Sequence, residues 1–82
     1  MNNTQKKILL FRAINDIHEF QVSLKDVALK TTDMYHSIGI INEFDGVKSN
    51  YVNISINTIE EIERLQRIIE VIKDTLEGIE RS

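Results

Sequence analysis

Eighty-two residues, 41% hydrophobic and 28% charged with a net charge of -3, make one small domain spanning 1–82. A chain of this size buries only about 60% of the surface its unfolded form exposes, and small chains offset that with disulfides, a metal or a partner. The absence of cysteine excludes disulfides, thiolate metal sites and thiol catalysis together, and His18 and His36 are too isolated to make a zinc site.

The remaining device is a partner, and a second copy of the chain is the first candidate. No catalytic constellation, metal set or cofactor motif stands in the sequence. No serine or threonine has a histidine and an acid at a nucleophile's spacing, and the glycines at 39, 46 and 78 form no phosphate-cradling loop. Mean hydropathy is -0.21 and no apolar run approaches the ~18 residues needed to cross a bilayer. Ile8, Leu9, Leu10 and Phe11 are followed at once by Arg12, too short a run for a signal-peptide core. These features imply a cytoplasmic chain with no membrane contact. A pI near 5.3 argues against an electrostatic grip on nucleic acid. Richness in Ile, Asn and Lys without proline or tryptophan is the composition of an AT-rich bacterium or its phage.

The first half of the chain carries two seven-residue repeats. Leu10, Ile17, Leu24, Thr31 and Ile38 form one, and Ala13, Phe20, Val27, Met34 and Ile41 form the other, three residues on. Sustained over four heptads, the pattern predicts a helix over about 4–44, about 60 Å long at 1.5 Å per residue. Thr31 in mid-seam is a polar position suited to fixing register. Gln21, Val22 and Ser23 are a poor helical stretch, and Ser23 with Asp26 makes a capping-box pattern, so 19–23 is a candidate break.

Leu24, Lys25, Asp26, Val27 and Ala28 resemble the opening of the helix-turn-helix in the lactose-repressor family. Ile38 and Ile41 fall where the second helix of that motif carries apolar residues. Thr31, Thr32 and Asp33 stand where the family has a small residue, a turn glycine and an apolar residue. A related α+β reading makes 39–56 the wing of a winged helix with Asp45 and Gly46 at its tip. Together they imply a DNA-binding regulator, although the wing would carry Lys48 against Glu43 and Asp45. Only a fold that gathers Lys6, Lys7, Arg12, Lys25 and Lys30 would supply a basic face.

Asp45 and Gly46 signal a turn, and beyond it Val52, Ile54 and Ile56 alternate with Asn53 and Ser55 in strand fashion. This predicts an extended connector over about 45–57. Its exposed polar residues Asn50, Tyr51, Asn53 and Asn57 are the candidate partner contacts, because loops on rigid scaffolds carry function.

The last segment predicts a helix over about 58–80. Thr58 with Glu61 makes a capping box, and Ile62, Leu65, Ile69, Ile72, Leu76 and Ile79 alternate three and four apart without exception. Glu60 and Arg64, Glu63 and Arg67, and Glu77 and Arg81 are acid-before-base pairs on the outer surface. Ile59, Ile68 and Val71 widen the stripe beyond a two-stranded seam. The whole net charge lies here, with seven acids against four bases from Thr58 onward.

The fold expected is mainly α: a long helical hairpin that self-associates through Leu10, Ile17, Leu24, Val27, Met34, Ile38, Ile62, Leu65, Ile69 and Ile72. The function expected is a non-enzymatic interaction module, of the kind phages and mobile elements encode, that binds and modulates a host protein, with inhibition the favoured sense, as a homo-oligomer such as a homodimer. The alternatives are the winged-helix regulator and a helical oligomer that traps a small ligand such as a nucleotide signal.

Overall fold

The computed structural model describes residues 1–38 and 45–81, which form two helices, α1 (Asn3–Ile38) and α2 (Asp45–Arg81). They pack antiparallel as a hairpin 61 Å long and 15 Å across. Every described residue except Met1 and Asn2 is helical.

A reciprocal capping box starts α1. The Asn2 N–H donates to Gln5 Oε1 at 3.1 Å, and the Gln5 N–H donates to Asn2 Oδ1 at 2.8 Å. The helix then runs unbroken through 19–23, contrary to the expected break. Ser23 does not cap a new helix, because its hydroxyl donates back to the Glu19 carbonyl at 3.2 Å. Gln21 holds the stretch in place: it is buried, and its amide donates to the Ile62 carbonyl and to Gln66 Oε1, each at 3.2 Å. The helix-turn-helix likeness also fails here, since residues 24–38 are one helix. Thr31 and Thr32 make no turn; their hydroxyls donate to the carbonyls of Val27 and Ala28 within α1.

The connector expected over 45–57 is helix, and α2 begins at Asp45. The reason lies in the seam. Tyr51, Ser55 and Thr58 extend the three-and-four alternation of Ile62, Leu65, Ile69, Ile72, Leu76 and Ile79 back by two turns, and all nine are buried or half-buried. The period-two alternation of Val52, Ile54 and Ile56 puts these β-branched residues outside the seam, at a small propensity cost that the tertiary packing overrides. Thr58 is therefore interior to α2, its hydroxyl donating to the Ile54 carbonyl at 2.7 Å. No strand occurs among the described residues, and the α+β alternative with its wing is overturned. Gly39, Ile41 and Glu43 lie outside the described residues. The helices have 36 and 37 residues, so they are matched in length, whereas the expected ranges 4–44 and 58–80 made the first much the longer.

On α1 the seam is Leu10, Ile14, Ile17, Gln21, Leu24, Ala28, Thr31 and Ile38. One expected repeat is thus the buried one, while the other is displaced: Phe20, Val27 and Met34 are 52%, 43% and 50% exposed. Offsets of three and four residues both give a heptad, and the apolar count favoured the wrong one. The small Ala28 and the hydrogen-bonding Gln21 occupy the true positions, where a short side chain lets α2 approach and an amide bonds across. Among the described residues only Ile69 and Leu76 are buried apolar side chains, Ile69 fully so, while Gln21, Thr31 and Thr58 are buried polar ones.

Candidate protein-docking faces

Three cross-helix hydrogen bonds among the described residues set the register. Ser55 Oγ donates to Thr31 Oγ1 at 3.0 Å, and Gln21 reaches Gln66 and the Ile62 carbonyl. Thr31 therefore has the register-setting place that the heptad assigned to it. With the seam closed on itself, each side of the hairpin presents a face built from both helices.

One side is a groove. Leu29 and Ala28 of α1 meet Ile59 and Ile62 of α2 around an open cavity of about 520 Å³, with Lys25 and Glu63 at its rim. A second cavity of about 250 Å³ continues it toward the Ile38 end, lined by Tyr35, Val52, Ser55 and Ile56, and shares Thr32 and Ile59 with the first. The groove's walls are mainly apolar, with Thr32, His36 and Ser55 as polar members. The charged Lys25 and Glu63 are exposed, and the Ser55 hydroxyl is already bonded to Thr31.

The opposite side is a ridge. Ala13, Phe20, Val27 and Met34 stand seven apart along α1, a run of about 31 Å at 1.5 Å per residue. By the register above, Ile68 lies abreast of Phe20, Glu61 of Val27 and Ile54 of Met34. Glu61 is half-buried, and Arg64 sits beside it at 3.7 Å.

Of the ten residues expected at an oligomer interface, eight serve the hairpin itself. Leu10, Ile17, Leu24, Ile38, Ile62, Leu65 and Ile72 are half-buried in the seam and Ile69 is fully buried, while Val27 and Met34 stand on the ridge. Of the four expected partner contacts, Tyr51 turns into the seam. Asn50, Asn53 and Asn57 form an exposed polar line along the back of α2, with Asn53 bordering a shallow pocket beside Tyr35, Lys48 and Val52. The groove residues Leu29, Val52, Ile56 and Ile59 were missed. Their common face becomes visible only when 45–57 is read at helical spacing.

The remaining polar groups have local roles. His18 Nδ1 lies 3.2 Å from Gln21 Oε1, and the His36 ring meets Tyr35 edge-on with centroids 5.6 Å apart. Lys30 bonds Asp26 at 2.9 Å, and this hydrogen bond with the attendant charge attraction raises the Lys30 pKa. Of the expected surface pairs, Glu77 and Arg81 meet at 3.6 Å, and Arg64 turns to Glu61, three residues before it. Lys6, Lys7, Arg12, Lys25 and Lys30 fall at five different heptad positions and so spread around α1. Among the described residues there is no cluster of three or more His, Cys, Asp or Glu side chains able to hold a metal ion. Nor is any described helix long and apolar enough to cross a membrane.

No family model, curated protein or solved structure matches the chain.

Proposed function

We propose that the chain is a non-enzymatic interaction module that binds another protein through its groove and modulates that protein by holding it. The observation that carries this reading is the mainly apolar groove between Leu29 of α1 and Ile56 and Ile59 of α2. These large apolar side chains are 66%, 47% and 48% exposed, where a self-contained hairpin would have placed them in its seam. A cleft between two near-parallel helices accepts an amphipathic helix, whose apolar side chains at every third and fourth residue match the groove's spacing. The spread of basic residues around α1 and the lack of a wing among the described residues both weigh against the winged-helix DNA-binding alternative. The lack of convergent polar groups weighs against a trapped nucleotide.

The test is capture from the native cell extract with the wild-type chain and with Leu29→Lys and Ile59→Lys, both checked for helicity first. One protein recovered near one-to-one by the wild type, and bound at least about tenfold more weakly by each variant, is the expected result. Equal recovery by folded variants would contradict the groove as the docking site.

A further inference from the structure

We infer that the ridge face opposite the groove is covered by a second copy of this chain, giving an antiparallel four-helix bundle in which each α1 lies over the partner's α2. The inference is independent of the protein-capture reading above, because it uses the other face.

Surface area is the first argument. The chain exposes 6132 Å², whereas a compact monomer of 9.5 kDa exposes about 5,000 Å² on the usual scaling of surface with mass. The excess of roughly 1,100 Å² per chain is close to the ~800 Å² that each partner buries in a standard stable interface. The radius of gyration makes the same point. It is 18.6 Å, against about 12 Å for a compact domain of this length, so the molecule has the shape of half a bundle.

The layout of the ridge is the second argument. A two-fold interface uses one patch twice, so the patch must complement itself. Along the ridge, Phe20 with Ile68 and Met34 with Ile54 are the two apolar ends, and Val27 with Glu61 lies midway between them. Turned about an axis along the bundle, two copies place Phe20 and Met34 over the partner's Ile68 and the partner's Ile54. The same operation keeps the two Glu61 carboxylates apart, each facing an apolar residue and not its twin. Glu61 keeps Arg64 beside it, so an acid and a base enter the interface together and no net charge is trapped there. Laying each α1 over the other α1 would set Glu61 against its own copy, which is why the α1-over-α2 arrangement is the one chosen.

Two measurements on the full chain alone test this. Sedimentation equilibrium across a concentration series should move from one chain mass to two, twice 9.5 kDa, and stop there. A single mass at every concentration, or growth beyond two chains, would overturn the inference. Because the chain has no cysteine, single-cysteine variants then locate the interface. The thiol of Val27→Cys should react about tenfold or more slowly above the dimerisation concentration than below it, as buried groups react only through opening. The thiol of Val22→Cys, on the exposed groove side, should react at one rate throughout. Val22→Cys protected and Val27→Cys open would place the second copy on the wrong face. A dimer mass with both thiols fully reactive would place it elsewhere on the hairpin, and either result refutes the proposal.

Discussion

The two halves of the hairpin share the same helices and register but have opposite seams. Toward the chain ends the seam is Leu10, Ile14 and Ile17 against Ile69, Ile72, Leu76 and Ile79, and it contains both buried apolar residues, Ile69 and Leu76. Toward the Ile38 and Asp45 ends it is Ala28, Thr31 and Ile38 against Tyr51, Ser55 and Thr58, with hydroxyls meeting at the centre. Gln21 divides the two. The second half is not poor in apolar residues; they are outside the seam, as Val27, Leu29, Met34, Val52, Ile54, Ile56 and Ile59. Exposed apolar residues occur near the chain ends as well, Ile8, Leu9 and Phe11 on α1 and Ile68 and Val71 on α2. One half therefore supplies most of the adhesion of the hairpin, while the other supplies the hydroxyl contact that sets its register and the groove. A polar seam costs stability but admits only one alignment, which is the best-attested use of buried polar groups between helices.

The sharpest way to break this comparison is to delete the same kind of contact in each half. Ile69→Ala should cost about 2–5 kcal/mol, because it removes a fully buried side chain and leaves a cavity. For a chain whose total stability is of the order of 4–12 kcal/mol, that lowers the urea midpoint severely. Thr58→Ala, at a buried seam position in the other half, should cost no more than about 1 kcal/mol, since its hydroxyl bonds only its own helix. Comparable losses at the two sites would erase the distinction.

The next effect has the opposite sign. Gln21→Leu removes an amide whose partners are not left orphaned: the Ile62 carbonyl lies within α2, and Gln66 is exposed to water. Stability should stay level or rise by about 1 kcal/mol, while the alignment of the helices loosens. Chemical-shift doubling in α2 amides would report that loosening. A loss of stability would mean that Gln21 contributes to adhesion.

The smallest effect is on the surface. Lys30→Met should lower stability at neutral pH only slightly, because the pair with Asp26 is exposed on both sides. Its pKa is raised in the folded chain, so the pair's contribution is present below the ordinary lysine value of 10.5 and is lost as pH rises through the raised one. Wild type and variant should therefore differ only along the acid-to-neutral plateau's small offset and converge on the alkaline side, read by urea midpoints at successive pH values.

Much of this architecture was legible in the residues. The alternation from Ile62 to Ile79 is the seam of α2, and Leu10, Ile17, Leu24, Thr31 and Ile38 are half the seam of α1. What misled was chemistry that looks local but is not. Val52, Ile54 and Ile56 have the period of a strand, yet Tyr51, Ser55 and Thr58 keep helical spacing beneath them, and burial of that second pattern decides the conformation. Thr58 and Ser23 resemble caps because a hydroxyl bonds a backbone group equally well at a helix start or within a turn of helix. The docking faces were hidden for a related reason. Phe20, Val27 and Met34 were counted as seam, whereas Gln21 and Ala28, less apolar and better fitted to a close approach, hold that place.

Amide hydrogen exchange resolved along the chain, at a concentration where it is monomeric, tests the division of labour most directly. Protection should be greatest over 10–17 and 65–76 and fall steadily toward 28–38 and 48–58, since local opening costs least where the fewest apolar contacts are broken. Uniform protection, or a gradient rising toward Thr31 and Ser55, would contradict the account, because the polar half would then be holding the hairpin together.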